Sequence, residues 1–354
     1  MIIHSRFKDY KILFENDFSF LKPLIAKENS LLVVDENVFH LYEEYFSETI
    51  QNNIYVVRAT EEKKVIDTAL DICERMTGIP AKKNATVISI GGGIIQDLTG
   101  FVANILYRGV NWIFVPTTLL AASDSCIGGK TSLNYKQFKN LLGTFYPPDE
   151  IYICPEFFKT LAEKDFKSGL GEVVKFNIMA GQDGLKNMES HLPSLLNRDN
   201  STVTNFVRSS LNFKKDFIEL DEFDRGERIK LNFAHTFGHA IETVTHYAIP
   251  HGTAVAIGMI MADSISVKRG LLSEDIAKRS EEVLLKIIDI DADLSSYPLA
   301  NFISAMRKDK KQTSDKLTAV LMTNTAKDLR IVKDLSEEEV KDAIKYFSDI
   351  YNVR

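Results

Sequence analysis

The sequence contains little cysteine and lacks any long uninterrupted apolar run. Its 354 residues include three cysteines, Cys73, Cys126 and Cys154, which are widely spaced and form no C-x-x-C pair. Such an odd, scattered set excludes a disulfide framework and a zinc ribbon, so we expect reduced, structural thiols. A membrane-spanning helix needs roughly 18 consecutive apolar residues, and the N-terminal stretch lacks the apolar core of a secretion signal. These absences predict a cytoplasmic protein with no membrane partner.

The sequence also lacks an excess of basic residues. Its 43 lysines and arginines against 49 acidic residues give a net charge of −6, whereas nucleic-acid-binding proteins carry basic stripes. We therefore expect no nucleic-acid partner, and local lysine clusters indicate a small anionic ligand instead. The length is large for one hydrophobic core, so two domains are expected.

The first part of the chain alternates β-rich runs with helical patterns. We predict strands at 31–35, 54–57, 85–90 and 112–115, and helices at 61–78 and 94–107. Such alternation is typical of parallel β-α-β units. We therefore predict an α/β Rossmann-like nucleotide-binding domain over residues 1–155, with the boundary between the prolines at 147 and 155.

Long helical patterns dominate the second part of the chain. Helices are predicted at 163–181, 202–222, 228–247, 251–269, 273–288 and 336–350, with two short strands at 317–322 and 329–332. We expect Ser336 to cap the last helix. Residues 156–354 are therefore predicted to form a mostly α-helical domain.

A glycine-rich turn lies between a predicted strand and the helix that follows it. Gly91, Gly92 and Gly93 end the strand, but Gln96 stands where a dinucleotide-binding fingerprint has a third glycine. Glycines at a helix N-terminus let a phosphate approach the backbone. A simple tight turn is the alternative. Asp35, after an earlier strand, either binds a ribose or caps a helix.

Further polar residues follow the strand at 112–115. Thr117 and Thr118 lie where parallel sheets bind ligands, at the carboxyl end of a strand. Lys130 follows two glycines and is a candidate anion contact, although the spacing is not that of a phosphate-binding loop. Lys139 and Asn140, considered alone, are typical of a surface.

A carboxylate and an ammonium group lie three residues apart in the predicted helix 163–181. Glu172 and Lys175 form an ordinary i,i+3 ion pair in the simplest interpretation. The flanking residues are strongly apolar, however, so both charges are expected to be buried, and buried charges need a partner or a function.

Four of the seven histidines lie between positions 235 and 251. His235 and His239 are four residues apart and would share one face of a helix. Together with His251 they supply the imidazoles that a divalent metal needs. A lone histidine is more often structural, but three within this short stretch favour a metal site.

The order and spacing of these motifs, from about residue 30 to 325, resemble the 3-dehydroquinate synthase family of sugar-phosphate cyclases. The motifs that carry the resemblance are Gly91-Gly-Gly with Asp97, Tyr107-Arg108-Gly109, Pro116-Thr-Thr-Leu-Leu120, Asp124 with Gly128-Gly-Lys130, Lys139-Asn140, Gly171-Glu-Val-Val-Lys175, Arg228 with Asn232, His235-Thr-Phe-Gly-His239, His251-Gly252 and Asp309-Lys-Lys311.

The resemblance implies bound NAD, a divalent metal (zinc, or cobalt in its place) and a site in the cleft between two domains. It makes Glu172, His235 and His251 the metal ligands. It also implies a homodimer in which Arg108 reaches the partner's site. The expected substrate-contacting residues are Asp124, Lys130, Asn140, Lys175, Lys214, Arg228, Asn232, His239 and Lys311, with Lys310 as the alternative to Lys311. The expected dinucleotide contacts are Asp35, Glu61, Lys64, Gly92, Gly93, Asp97, Thr117, Thr118 and Lys139.

The implied reaction converts 3-deoxy-D-arabino-heptulosonate 7-phosphate to 3-dehydroquinate. Transient oxidation by NAD acidifies a neighbouring C–H, phosphate leaves by β-elimination, the hydride returns, and an aldol step closes the ring. Because the hydride returns, NAD is not consumed. Arg228 and Lys214 are the expected contacts of the substrate carboxylate, and His239 is the expected proton shuttle.

Several positions depart from the family pattern: Thr60, Gln96, Ala121 to Ser123, Ala234 and Thr253. The stretch at 121–123 is more similar to 2-deoxy-scyllo-inosose synthases. The alternatives are therefore another cyclase, of that type or the epi-valiolone type, or a metal- and NAD-dependent alcohol dehydrogenase of the glycerol-dehydrogenase type. A non-catalytic relative would not need the intact ligand set.

Overall fold

The computed structural model describes residues 1–46, 53–136, 138–308 and 316–352. The chain divides into two compact units, Met1–Leu161 and Ala162–Arg354. Eight helices of the second unit, α7 to α14, contrast with a sheet-based first unit. The predicted fold class, an α/β domain followed by a mostly helical one, is confirmed.

The first unit is built on a seven-stranded sheet with the order β1-β2-β9-β6-β5-β3-β4. Five neighbouring pairs in this order are parallel, and only β1 and β2 pair antiparallel among them. A separate antiparallel hairpin pairs β7 with β8. The strands are β1 (Ile2–Ile3), β2 (Tyr10–Phe14), β3 (Ser30–Asp35), β4 (Ile54–Val57), β5 (Thr86–Gly91), β6 (Asn111–Pro116), β7 (Lys130–Tyr135), β8 (Phe138–Phe145) and β9 (Glu150–Ile153).

The central strands form because they are continuous runs of apolar residues. Every residue of β5 is buried, and five of the six residues of β3 are buried as well. Strands covered on both faces need such runs, in contrast to half-exposed strands, which alternate. The four predicted strands are confirmed. Strands β1, β2 and β9 and the β7–β8 hairpin were not predicted.

Helices cover the sheet of the first unit. A 3-10 helix at Glu61–Lys63 precedes α4, so the predicted helix at 61–78 begins later than expected. The helices are α1 (Leu21–Ile25), α2 (Glu36–Leu41), α3 (Glu43–Phe46), α4 (Ile66–Thr77), α5 (Gly93–Ile105) and α6 (Glu156–Lys159).

The second unit packs its helices around α7 and α11, which are its most deeply buried elements. An antiparallel pair of strands, β10 (Leu317–Met322) and β11 (Leu329–Leu335), joins them. The helices are α7 (Glu163–Met179), α8 (Gln182–Leu196), α9 (Asn200–Leu220), α10 (His235–Val244), α11 (His251–Lys268), α12 (Glu274–Ile287), α13 (Leu299–Lys308) and α14 (Glu337–Asn352).

One predicted helix of this unit was wrong. Residues 228–247 do not form a single helix, because a 3-10 helix at Glu227–Asn232 precedes the left-handed residue Ala234, whose φ is 67°. A left-handed residue cannot continue a right-handed helix, so α10 begins at His235. Helices α8 and α13 were not predicted.

The last helix begins as expected. The Ser336 hydroxyl accepts a hydrogen bond from the Glu339 backbone N at 3.2 Å, and the Glu339 carboxylate accepts one from the Ser336 backbone N at 2.9 Å. These reciprocal bonds form a capping box.

The structure bears on two features that the sequence analysis considered: the state of the cysteines and membrane-spanning helices. All three cysteines lie within the described residues, and none of them forms a disulfide there. Burial raises the pKa of the Cys154 thiol to about 11, which leaves it unreactive at neutral pH. Within the residues that the structure describes, no helix is both long and apolar enough to cross a membrane.

Candidate active site

Two glycines bring helices α7 and α11 into backbone contact. A methyl group on Gly171 would lie 2.0 Å from the Gly252 carbonyl oxygen, and one on Gly252 would lie 1.8 Å from the Ser168 carbonyl oxygen. No other residue type fits at such distances. Because Glu172 follows one glycine and His251 precedes the other, the close approach sets these two side chains side by side.

The side chains of Glu172, His235 and His251 converge on one point. The Nε2 atoms of His235 and His251 lie 3.5 and 3.4 Å from Glu172 Oε1. Ligands held at about 2.1 Å around a tetrahedral zinc are about 3.4 Å apart. One carboxylate and two imidazoles also suit a zinc that keeps an open position for substrate. The three residues therefore have the donor chemistry and the spacing of a divalent metal site.

Hydrogen bonds to the outer ring nitrogens orient both imidazoles. His235 donates from Nδ1 to the Phe233 carbonyl oxygen at 3.0 Å, and His251 donates from Nδ1 to Glu242 Oε2 at 3.0 Å. Metal-binding histidines usually donate their second N–H to a carbonyl or a carboxylate, which fixes the tautomer. Each Nε2 is thereby directed toward Glu172.

The two carboxylates around His251 change its ionisation. Burial opposes the imidazolium, but Glu172 and Glu242 outweigh it and raise the pKa of His251 to about 10. A metal bound at Nε2 has to displace this proton. Metal affinity is therefore expected to fall as the pH is lowered.

Lys175 lies one helical turn after Glu172 and contacts it. Its Nζ is 2.5 Å from Glu172 Oε2, and its side chain is 2% exposed. The expected burial of both residues is confirmed, and so is their i,i+3 ion pair. Because a buried ion pair adds little net stability, these charges are better explained by a function than by fold maintenance.

His239 completes a cluster of three imidazoles. Its ring centroid lies 5.4 Å from that of His235 and 5.9 Å from that of His251. It is half-buried at the edge of the cluster. His239, Glu242 and His251 also form a second group with metal-ligand spacing that shares His251 with the first.

Three further predicted residues of the second unit are basic or amide side chains. Lys214 and Arg228 are 6% and 3% exposed, and Asn232 is half-buried. The Arg228 guanidinium donates to the Glu222 carbonyl oxygen, and Asp221 holds the loop by accepting from the Gly226 and Arg228 backbone N atoms at 2.7 and 3.2 Å. Buried cationic and amide side chains of this kind can bind an anionic ligand.

In the first unit, the 13-residue helix α5 begins at the glycine turn, and no side chain caps its N-terminus. Gly92 is the N-cap of α5 and has no side-chain hydrogen bond to the first turn. A methyl group on Gly93 would meet only Ser125 Oγ, at 3.9 Å, so the space in front of the helix is open. Exposed first-turn N–H groups and the positive end of the helix dipole suit a phosphate. The turn therefore fits a dinucleotide.

Lys64, Asp97 and Asn140 come together beside this helix. Lys64 forms an ion pair with Asp97 and donates to Asn140 Oδ1 at 2.6 Å. Ser132 donates to Asp97 at 2.9 Å. Burial raises the pKa of Asp97 although Lys64 opposes the shift. The sequence predicted these residues for the cofactor and the substrate, and the structure joins them in one network.

Glu61 and Lys139 belong to the same region. Asn134 donates to Glu61 Oε2 at 2.7 Å, and Lys139 Nζ lies 3.7 Å from Glu61 Oε1. The Asn134 side chain also accepts from the Asn140 backbone N at 2.9 Å. Asn134 thus links the predicted cofactor residue Glu61 to the predicted substrate residue Asn140.

The remaining predicted residues lie at strand ends and turns. Asp35 caps α2 by accepting from the Asn37 backbone N at 2.9 Å, which was the alternative to a ribose contact, and burial raises its pKa. Thr117 and Thr118 follow β6, beside the glycine turn.

Asp124 lies in a short π-helix at Ala121–Ser125. Lys130 and Arg108 are exposed. Lys311, and its alternative Lys310, lie outside the described residues.

Sequence reasoning missed three residues of these clusters: Glu242, Ser132 and Asn134. Glu242 follows His239 by three positions and His235 by seven, so it had to share their helix face. Its place on that face was a signal present in the spacing, whereas its bond to His251 of α11 was not. Ser132 and Asn134 alternate along β7, a strand that the sequence did not reveal.

Solved structures with the same fold are sugar-phosphate cyclases. The 2-epi-5-epi-valiolone synthase of Streptomyces hygroscopicus subsp. jinggangensis 5008, with NAD+ and Zn2+ bound, matches with a TM-score of 0.84 at 24% identity, covering 96% of this chain and 97% of its own. A 2-deoxy-scyllo-inosose synthase, complexed with carbaglucose-6-phosphate, NAD+ and Co2+, gives 0.83 at 23%, with coverage of 98% and 99%. A glycerol dehydrogenase from Schizosaccharomyces pombe gives only 0.65 at 14%, covering 97% and 90%. The chain therefore has a fold that these structures share, and it is more similar to the two cyclases than to the dehydrogenase.

Sequence comparison narrows this class. The family models for the N-terminal and C-terminal parts of 3-dehydroquinate synthase match residues 54–168 and 169–312. The 3-dehydroquinate synthase of Dictyoglomus thermophilum is 37% identical over 89% of this chain and 88% of its own length. That of Clostridium tetani is 34% identical over 97% and 89%. The chain belongs to the 3-dehydroquinate synthase family.

Proposed function

We propose that this protein is a lyase that cyclises 3-deoxy-D-arabino-heptulosonate 7-phosphate to 3-dehydroquinate and releases phosphate. The observation that carries the proposal is the convergence of Glu172, His235 and His251 at separations that suit zinc. Relatives named 3-dehydroquinate synthase, more than 30% identical over nearly the whole chain, support the choice of substrate.

The proposed cofactors supply the chemistry that side chains lack. NAD would take up a hydride and return it, and zinc or cobalt would lower the pKa of a substrate hydroxyl. In our proposal the first unit, predicted as residues 1–155, binds the dinucleotide. The second, predicted as 156–354, binds the metal and most of the substrate.

The residues of the second unit are proposed to bind and orient the substrate. The buried cations Lys214 and Arg228 would balance the substrate carboxylate, and a guanidinium can do so with two parallel hydrogen bonds. Lys175 and Asn232 would add contacts to substrate oxygens, and so would Lys311, which lies outside the described residues. His239, at the edge of the imidazole cluster, would move a proton.

The residues of the first unit are proposed to hold the dinucleotide. Gly92 and Gly93 would receive a phosphate at the start of α5, and Asp35, Glu61, Lys64 and Asp97 would bond to sugar hydroxyls and amides. Thr117, Thr118 and Lys139 would complete these contacts. Asn140 joins the Lys64–Asp97 network and, with Asp124 and Lys130, would contact the substrate.

A partner subunit is proposed to complete the site with Arg108. Tyr107 and Arg108 both have left-handed backbone conformations, with φ of 51° and 65°, and the Arg108 side chain is exposed. The β7–β8 hairpin exposes Tyr135, Phe138 and Leu141, an apolar surface that suits a second copy of the chain. We therefore propose a homodimer. We also propose a cytoplasmic location, because free thiols persist in reducing compartments.

The test is to give the purified protein the heptulosonate phosphate with substoichiometric NAD and zinc. We expect many equivalents of phosphate and 3-dehydroquinate per NAD, with no net NADH. Stoichiometric NADH would instead establish an alcohol dehydrogenase. No reaction with this substrate, but cyclisation of sedoheptulose 7-phosphate or glucose 6-phosphate, would establish an epi-valiolone or a 2-deoxy-scyllo-inosose synthase.

A further inference from the structure

The helical unit contains a cavity that the proposed reaction does not use. It has a volume of about 380 Å³ and is lined by residues of α11, α12 and α14. Ile260, Val267 and Ala277 form apolar walls. The lining residue Asp263 follows His251 by twelve positions on α11, which is about 18 Å along the helix. The cavity is therefore separate from the metal ligands.

Asp263 is a buried acidic residue in the lining of this cavity. It is 3% exposed, and its carboxyl group lies close enough to the Ser280 hydroxyl for that hydroxyl to oppose the effect of burial. Burial raises the pKa of this carboxyl to about 7. Burying a carboxyl group away from water costs free energy unless its interactions in the protein compensate for the lost hydration. A cationic group entering the cavity would offset that cost.

A second carboxylate lines the same cavity. Tyr346 donates its hydroxyl proton to Glu281 Oε2 at 2.5 Å. Burial, then Glu281 and finally Asp263 raise the pKa of Tyr346, so both carboxylates lie near the phenol. Lys268, at the rim, pairs with Asp342 at 2.8 Å. The charged residues that line the cavity are Asp263, Glu274 and Glu281 with Lys268 and Lys278, so acidic groups outnumber basic ones there.

The residues that line the cavity suit an organic cation better than a metal ion. Among the described residues, the groups of three His, Cys, Asp or Glu with metal-ligand spacing both include His251, and neither includes Asp263. The apolar walls also give a metal ion no ligands. They do suit the hydrocarbon part of an organic molecule.

We propose that this cavity binds a small organic ammonium ion, with the ammonium group at Asp263 and the hydrocarbon part against Ile260, Val267 and Ala277. Glu281 and the face of Tyr346 would lie beside the bound cation, where a carboxylate and an aromatic ring both stabilise positive charge. This site is independent of the proposed cyclase reaction.

Calorimetric titration of the full chain with benzylammonium, n-butylammonium and cyclohexylammonium chloride tests the proposal. The pH should be about 8, so that Asp263 is ionised. We expect at least one amine to bind at one site per chain, and the neutral alcohol of the same shape to bind about tenfold more weakly or less. Asp263→Asn should weaken amine binding by about tenfold or more, because it removes the charge and keeps the shape.

Two further variants locate the binding. Ala277→Leu should block it by filling the cavity, whereas Asp275→Asn, at the exposed start of α12 and outside the cavity lining, should leave it unchanged. The proposal is overturned if none of the three amines shows saturable binding, if the alcohol binds as well as its amine, or if Asp263→Asn binds as tightly as the wild type.

Discussion

Glu242 orients one of the proposed metal ligands, His251, although it is not a proposed ligand itself. Glu242 accepts the Nδ1–H of His251 at 3.0 Å and is not itself one of the proposed ligands. Removing such an outer partner typically lowers metal affinity by roughly 10–100-fold. We regard Glu242 as a positioning residue, because it acts through His251.

The first prediction concerns this residue. Glu242→Gln should bind zinc about 10–100-fold more weakly than the wild type, since the amide keeps the hydrogen-bonding shape and loses the charge. Competition with a chromophoric chelator measures the change. Glu282→Gln, on the exposed face of α12, is the matched control and should bind zinc normally. Equal affinities in all three proteins would show that Glu242 does not support the ligand.

The second prediction concerns Asp263 and pH. Burial raises its pKa in the folded protein to about 7, from an ordinary value of 3.8. The unfolded chain therefore loses this proton first, and the contribution of Asp263 to stability falls as the pH rises from about 4 to 7.

Asp263→Asn has no such proton to lose. The free energy of unfolding of the variant, relative to the wild type, should therefore increase by about 3 kcal/mol between pH 5 and pH 8. Urea unfolding at both pH values measures this difference. A difference that stays constant with pH would mean that Asp263 titrates normally in the folded state.

At the scale of helices, the site depends on the contact between α7 and α11. Our third prediction is that Gly171→Ala lowers zinc affinity, because a methyl group would lie 2.0 Å from the Gly252 carbonyl oxygen and force the helices apart. Overpacking of this kind costs about 1–3 kcal/mol of stability. Gly78→Ala, at the end of α4, is the control, since a methyl group there meets its nearest atom at 3.3 Å. Zinc titration and thermal unfolding of a folded Gly171→Ala protein check the prediction, and wild-type zinc affinity would contradict it.

Local sequence patterns predicted some elements well and others badly. The strands β3, β5 and β6 were predictable because they are apolar runs buried on both faces. The half-exposed β7–β8 hairpin and the short β9 carry no such signal, since neighbouring strands determine their pairing. The break before α10 depends on one left-handed residue, Ala234, which replaces the glycine expected there, so the sequence concealed it.

The contacts of the site were also predictable from the sequence only in part. Spacing on one helix was enough to place His235 beside His239, and Glu172 beside Lys175. The meeting of Glu172 with His251 depends on the packing of α7 against α11, and it was expected from the family resemblance and not from spacing. Glu242 and Asn134 were missed because their partners come from other elements.

At the scale of the whole molecule, our fourth prediction concerns the subunits. Arg108→Ala and His251→Ala should each be nearly inactive alone. If Arg108 serves the partner's site, a mixed dimer of the two variants has one intact site. Random pairing of equal amounts should then restore about a quarter of wild-type activity.

Co-expression of the two variants with different affinity tags, followed by an activity assay, measures this restoration. The same variants purified singly and mixed without subunit exchange are the control and should remain inactive. No activity in isolated mixed dimers would show that Arg108 acts within its own subunit or outside the site.

The central claim is that Glu172, His235 and His251 bind one divalent metal ion. An anomalous difference map from a crystal grown with zinc, recorded above and below the zinc absorption edge, tests it most directly. We predict one strong peak at about 2.0–2.2 Å from Glu172 Oε1 and from both Nε2 atoms. A peak elsewhere in the chain, with none between these three side chains, would contradict the account.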